Sequence, residues 1–366
     1  MAGDRRLCFS FFQHPLRCRF DESVPRMTAR PPARMCNKCG WDRTLRSLGA
    51  SLVLILLSSF AQPQAALSLQ NQKANDYTIH VSVDEVVLRA TAQTNKGVLV
   101  SGLGKDDFQV YEDGVLQQVR HFSHEDIPVT VGLVMDNSGS MQPKRDTVIA
   151  AAMAFARSSN PQDQMFVVNF NEKVALGLPV NRAFTDNVGE LETALSRTPA
   201  TGETALYDAV AVALEHLQRG NRDKKVLIVI SDGGDNASKH NLAQIRAMAA
   251  HSDVILYTIG IFDEEDADRN PHVLKQLAKD TGGEAFLPKS LKSVPAICEQ
   301  IARDIRNQYA IGYVPSNKKP DGTYRMIELK AQAAGYKHLI VRTRSGYYAL
   351  PKTLPVAKNK ADAVHK

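Results

Sequence analysis

Two hydrophobic rhythms divide this chain. Between about residue 129 and residue 307, short unbroken apolar runs alternate with stretches of helical spacing. The runs at 129–135, 165–170, 225–230 and 254–261 are rich in Val, Ile, Leu and Phe and carry almost no charge. Such runs mark strands covered on both faces, as in a parallel sheet between helices. Helical spacing fills the gaps at 146–157, 190–197, 204–218, 242–250 and 271–280, the last opening on Pro271, where a missing N–H costs little. Ala285 and Phe286 form a brief edge strand, and an amphipathic helix over 290–307 closes the region. Strand and helix in this alternation predict an α/β unit with a doubly wound, mostly parallel sheet and right-handed crossovers.

On either side the period drops to two. Val86, Leu88 and Ala90 alternate with polar neighbours, continuing a pattern set by Ile79, Val81 and Val83, with turn signals at Asn95-Lys96-Gly97 and Asp113-Gly114. After the last helix, 309–314, 325–331 and 338–343 read as strands, and 344–348 ends the folded part. Each flank is too small to be stable alone. They are therefore expected to pack together as a β-sandwich-like domain, with the α/β unit inserted between its halves. The resulting division is a leader over 1–66, an N-terminal β unit over 77–126, the α/β domain over 128–307, a C-terminal β segment over 308–349 and a disordered tail over 350–366.

The 366 residues carry a net charge of +6. Much of that excess lies outside the predicted folds: arginines and Lys38 crowd the first fifty residues, and four lysines trail the end. The middle is near neutral, so no nucleic-acid footprint is expected. The apolar run over 48–61, after a basic lead and with small residues at Ser59 and Ala61, is too short for a comfortable membrane span and matches a signal-peptide core. Export to the periplasm or beyond is expected, with an uncleaved anchor as the alternative. The lead is long if Met1 is the true start, and Met27 or Met35 would give a more ordinary one. Cys36 and Cys39 lack a second pair and would leave with the leader. Cys298 would then stand alone, a small buried hydrophobe rather than a reactive thiol.

The first apolar run ends abruptly at Asp136-Asn137-Ser138-Gly139-Ser140. An acid and two hydroxyls therefore sit at the carboxyl end of a buried strand, where open α/β sheets place their ligand sites. Oxygen donors at i, i+2 and i+4 around a glycine can converge on one small ion; the same residue types also serve as plain turn formers and helix caps. Thr201-Gly202-Glu203-Thr204 opens a helix, and Ser231-Asp232-Gly233-Gly234 ends another buried strand.

Asp-x-Ser-x-Ser, a Gly-x-Thr loop and a strand-terminal Asp-Gly, in that order, resemble the von Willebrand factor type A domain and its metal-ion-dependent adhesion site. The resemblance implies a Rossmann-like sheet and places the coordinating positions on Asp136, Ser138, Ser140, Thr204 and Asp232. With the flanking Tyr-Glu-Asp-Gly, Gly-Tyr-x-Pro and Arg-Ser-Gly-Tyr-Tyr strings, the chain over 77–349 also resembles exported bacterial proteins of the acidobacterial type that carry this domain. Two carboxylates and three neutral hydroxyls suit Mg²⁺, with Mn²⁺ able to substitute and Ca²⁺ less suited to so small a turn. By the family pattern Asp136 acts through water, and an open position takes a carboxylate from a partner protein.

These observations lead to a metal-dependent protein-binding module, not an enzyme, whose partner is a protein offering an acidic side chain. Nucleic acid is not expected as a partner, and membrane only through an uncleaved leader. A hydrolase using the ion as Lewis acid is the alternative, but no nucleophile elbow, phosphate-cradling loop or catalytic base stands beside the five positions. A partner subunit of an ATPase or chelatase machine is a third reading, which the export signal opposes. The acids at 263–266 with Asp268 form a loop near the same sheet edge, and Asp235 and Asn236 either support the site or cap the next helix.

Overall fold

In the computed structural model, which describes residues 85–262 and 269–350, the predicted strand–helix alternation is realised around one six-stranded sheet. Before it come β1 (Val86–Thr94), β2 (Phe108–Glu112), β3 (Val115–Gln117) and β4 (Val119–Ser123). The α/β part follows as β5 (Val129–Asp136), α1 (Arg145–Ser158), β6 (Gln164–Phe170), β7 (Val174–Leu176), α2 (Val188–Ser196), α3 (Leu206–Leu217) and β8 (Lys224–Ser231). It continues through α4 (Leu242–Ala250), β9 (Val254–Gly260), α5 (Pro271–Thr281), β10 (Ala285–Phe286) and α6 (Val294–Arg306). The chain then runs through β11 (Tyr309–Tyr313), β12 (Tyr324–Ala331), β13 (Leu339–Arg342) and β14 (Gly346–Tyr348). All described residues lie in one compact unit. The leader over 1–66, the strand pattern at 79–83, the acidic run at 263–268 and the tail from 351 fall outside the described residues. No helix among the described residues is long and apolar enough to cross a membrane.

The central sheet has the order β10-β9-β8-β5-β6-β7. Every pairing is parallel except β6–β7, which adds an antiparallel edge strand. That strand is three residues long, and no period in the sequence marks it. β5 is buried at all eight positions, because helices cover both faces of the sheet. Gly132 at its centre is there for space: a Cβ would lie 2.5 Å from both Leu227 Cδ2 and Phe166 Cζ. The final helix starts later than its amphipathic pattern suggests. A 3₁₀ turn, Leu291–Ser293, precedes α6, whose first turn contains Pro295.

Strands from both flanks pair into two four-stranded sheets, β13-β1-β11-β4 and β14-β12-β2-β3. β1 lies antiparallel to β11, and β2 antiparallel to β12. Their facing sides bury Leu88, Val110, Tyr309, Ile311 and Tyr313 in a second core. Asp113 at φ 48° and Gly114 at φ 80° make the two-residue β2–β3 turn, which requires left-handed backbone at both central positions. A buried ion pair, Arg325 to Glu112 at 3.3 Å, is completed by hydroxyls of Tyr313 and Tyr347 donating to Glu112 Oε2. The α6 helix passes directly into β11, so the α/β unit and the sandwich are joined by packed chain rather than by a linker.

Candidate metal centre

From β5 the chain crosses to β6 on one side, and from β8 it crosses to β9 on the other. The carboxyl ends of β5 and β8 therefore flank the point where the winding reverses, the place such sheets leave a crevice. Asp136 is the last residue of β5 and Asp232 follows the last residue of β8. Both are nearly inaccessible, 4% and 2% exposed.

Asp136 is held from two directions. Its Oδ1 accepts the Ser138 N–H at 2.8 Å and its Oδ2 accepts the Ser231 hydroxyl at 2.6 Å. Burial, and secondarily the charge of Asp232, push its carboxyl up to about 6 against the lowering pull of these hydrogen bonds. Ser140 donates its hydroxyl to Asp232 Oδ2 at 2.6 Å and lies 3.1 Å from the Ser138 hydroxyl. The other Asp232 oxygen accepts the Gly234 N–H at 3.0 Å. Four of the five sequence-predicted positions thus meet through side-chain contacts or direct charge interaction.

Thr204 reaches the site through backbone rather than through its hydroxyl. The loop before it is stapled to the Asp136 turn: Thr201 N–H donates to the Asn137 carbonyl at 2.9 Å, and Gly139 N–H donates to the Gly202 carbonyl at 3.0 Å. On the other side Asn236 clamps it, Oδ1 accepting the Thr204 N–H at 2.8 Å and the Asn236 N–H donating to the Thr204 carbonyl at 3.0 Å. Thr204 is itself buried, at 7% exposure. Its hydroxyl makes no hydrogen bond to the other four residues.

Ser231 and Asn137 support the site in ways that the sequence did not assign. Ser231 was visible only as the neighbour of Asp232; its role depends on lying in register with Asp136 across β5 and β8, which extends the Met135–Ile230 pairing by one. Asn137 ties the turn to β6, donating its N–H to the Phe170 carbonyl at 2.7 Å and its amide to Met135 and Asn169. Asp235 and Asn236 do not cap the following helix, where Asn241 accepts from Gln244 N instead. They reach back: Asp235 Oδ1 accepts the Tyr207 N–H at 3.1 Å at the start of α3. Cys298 is buried on α6, where burial pushes its thiol up to about 12 and keeps it unreactive.

The donor chemistry fits a hard divalent cation. Two carboxylates match its charge, and the hydroxyls of Ser138, Ser140 and Thr204 add neutral oxygens without neutralising it. Two acids brought together in a dry place repel each other, which a bound dication would relieve. Among the described residues no group of three or more His, Cys, Asp or Glu side chains could hold a metal ion, so a nitrogen- or thiolate-rich site of the zinc type is not the match here.

Residues 130–300 match the family description of the von Willebrand factor type A domain. This stretch is a von Willebrand factor type A domain. Among curated proteins the chain is 28% identical over 180 residues to mouse inter alpha-trypsin inhibitor heavy chain 4, covering 45% of this chain and 19% of that protein. It is 24% identical over 161 residues to an uncharacterized Synechocystis protein, covering 43% of this chain and 37% of the other. The chain therefore spans less than two fifths of either relative's length. Among solved structures, a von Willebrand factor type A protein from Catenulispora acidiphila is similar at 15% identity and a TM-score of 0.44, over 72% of this chain and 74% of that one.

Proposed function

We propose that this domain is a divalent-metal-dependent protein-binding module of an exported bacterial protein. Domains of this family generally serve in protein interaction and adhesion, and the chain is read within that class rather than as an enzyme. In the proposal Asp136, Ser138, Ser140, Thr204 and Asp232 hold Mg²⁺, and a carboxylate from a partner protein completes its coordination. A metal bound there supplies an electrophilic centre for that carboxylate. The rest of the work falls to the chain. Ser231 and the Ser138 N–H fix Asp136, Asn236 fixes the Thr204 loop, and the buried β5 keeps the turn at the crevice whether or not an ion is bound.

The observation that carries this reading is the contact of Ser140 with Asp232, 92 positions apart in sequence, beside a buried Asp136 whose carboxyl is raised first by burial and then by that second charge. The apolar run at 48–61 behind its basic lead supports export, and with it an envelope or extracellular partner.

Calorimetric titration of the purified protein with Mg²⁺ tests the metal half of the proposal. The wild type is expected to bind one ion, and Asp136→Ala to lose binding while keeping its circular dichroism and cooperative melt. Capture from the native envelope with Mg²⁺ and with EDTA tests the partner half. A wild type that takes up no Mg²⁺ at millimolar concentration overturns the proposal, as does an Asp136→Ala chain that no longer folds.

A further inference from the structure

The rim of the site carries negative charge that coordination does not use. Glu172 lies at the tip of the β6–β7 hairpin and is exposed. Its carboxylate rests on the apex of the 201–204 loop: Gly202 has φ 81°, and a Cβ built there would lie 1.9 Å from Glu172 Oε2. Gly202 is favoured by its left-handed backbone, and its missing side chain leaves the space in which the flexible Glu172 carboxylate rests. The hairpin is not free to swing away. The Asn171 carbonyl accepts the Ala205 N–H at 2.8 Å, and the Gly202 carbonyl accepts the Gly139 N–H at 3.0 Å. Hairpin, loop and metal turn are therefore one assembly, with Glu172 against Gly202, whose carbonyl bonds the backbone of Gly139 between Ser138 and Ser140.

Among the described residues Glu172 forms no ion pair, and neither does Glu203, which follows Gly202 and is also exposed. Lys173, next on the hairpin, is exposed and makes no ion pair with Glu172. Two uncommitted carboxylates thus flank the approach to buried Thr204, Ser138 and Asp232. A bare acidic side chain arriving at the metal must pass them against like charge, which slows association and weakens the complex. A cation carried beside that acid reverses the sign of the same interaction.

We propose that Glu172, assisted by Glu203, determines which partners this domain accepts: a protein segment presenting its carboxylate next to lysine or arginine, and not one embedded among further acids. Glu172 is a specificity residue and not a ligand. This inference rests on the metal-dependent binding reading above and narrows its partner class.

Two synthetic peptides serve as probes, each with one central aspartate between glycines, flanked on both sides by lysine in one and by glutamate in the other. Both are immobilised densely, and binding of the full protein is followed by interferometry with saturating Mg²⁺. Wild type is expected to prefer the lysine-flanked peptide by about fivefold or more, the scale of one or two exposed charge pairs, with the preference fading in high salt. Glu172→Gln is expected to bring the ratio close to one-half of its wild-type value or lower, and Glu172→Lys to invert it. Both variants should take up Mg²⁺ as wild type does, since neither touches the ligands. Equal binding of the two peptides by wild type, or a preference unchanged in Glu172→Lys, overturns the inference while leaving the metal-dependent module standing. Binding of neither peptide, or binding that survives Asp136→Ala, overturns the module itself and this inference with it.

Discussion

Arg342 offers the sharpest test of how the α/β unit and the sandwich are held together. It leaves β13 of the sandwich and reaches two acids of the α/β unit: Glu284, just before β10, and Asp304 on α6, whose Oδ2 lies 2.7 Å from Nη2. The Asp304 side chain is 0% exposed, and its other oxygen has no hydrogen-bond partner. Arg342→Ala therefore strands a carboxylate in a dry interior, a change that costs about 3–5 kcal/mol when the charge is retained. Burial already holds the Asp304 carboxyl above the ordinary carboxylate range, with Arg342 pulling the other way. Removing the guanidinium pushes it higher still. A folded-state pKa above the unfolded value means that the native protein binds the extra proton, so stability falls as pH rises through that window. The window widens upward in the variant. The expected loss is about 3 kcal/mol or more at pH 7.5, shrinking at pH 5 toward the ~1–3 kcal/mol of a poorly bonded neutral group. Urea unfolding followed by circular dichroism at both pH values measures this. Arg342→Met combined with Asp304→Leu should recover much of the loss at both, because neither charge is then left behind. A loss below about 1 kcal/mol at pH 7.5, or one identical at both pH values, refutes the account of this junction as a desolvated ion pair.

Two further outcomes are expected. Because Asp136 titrates near 6 through burial and its neighbour Asp232, protons should compete with the metal: Mg²⁺ affinity is expected to be level above pH 7 and to fall by up to about tenfold per pH unit below 6, whereas an affinity unchanged between pH 7.5 and 5 in calorimetry contradicts it. Gly233, just after Asp232, has φ 78° and would place a Cβ 2.4 Å from the Asn270 carbonyl, so Gly233→Ala should destabilise by about 2–4 kcal/mol, while Gly114→Ala, with φ 80° and open space, should cost only ~1 kcal/mol; equal melting temperatures for the two would show that the Asp232 loop can relax.

What the sequence by itself determined is the part written in local pattern. The charge-free run over 129–135 could only be a strand buried on both faces, and its arrest at Asp136-Asn137-Ser138-Gly139-Ser140 placed oxygen donors at a sheet edge. Proline in the first turn of α5 and the Asp113-Gly114 turn were readable for the same reason: each depends on its own residues and the two or three beside them. The order β10-β9-β8-β5-β6-β7 is a different kind of fact, since nothing in a strand's own residues states which strand lies beside it. Only that order and its register set Ser231 against Asp136, Ser140 against Asp232 and Asn236 against the Thr204 backbone. Tertiary structure likewise decided that Glu172, on an edge hairpin with no sequence mark of its own, stands over Gly202 at the mouth of the site. Periodicity records which face of an element is buried; the partner it is buried against is chosen by packing across the whole chain, and that choice assembled this site.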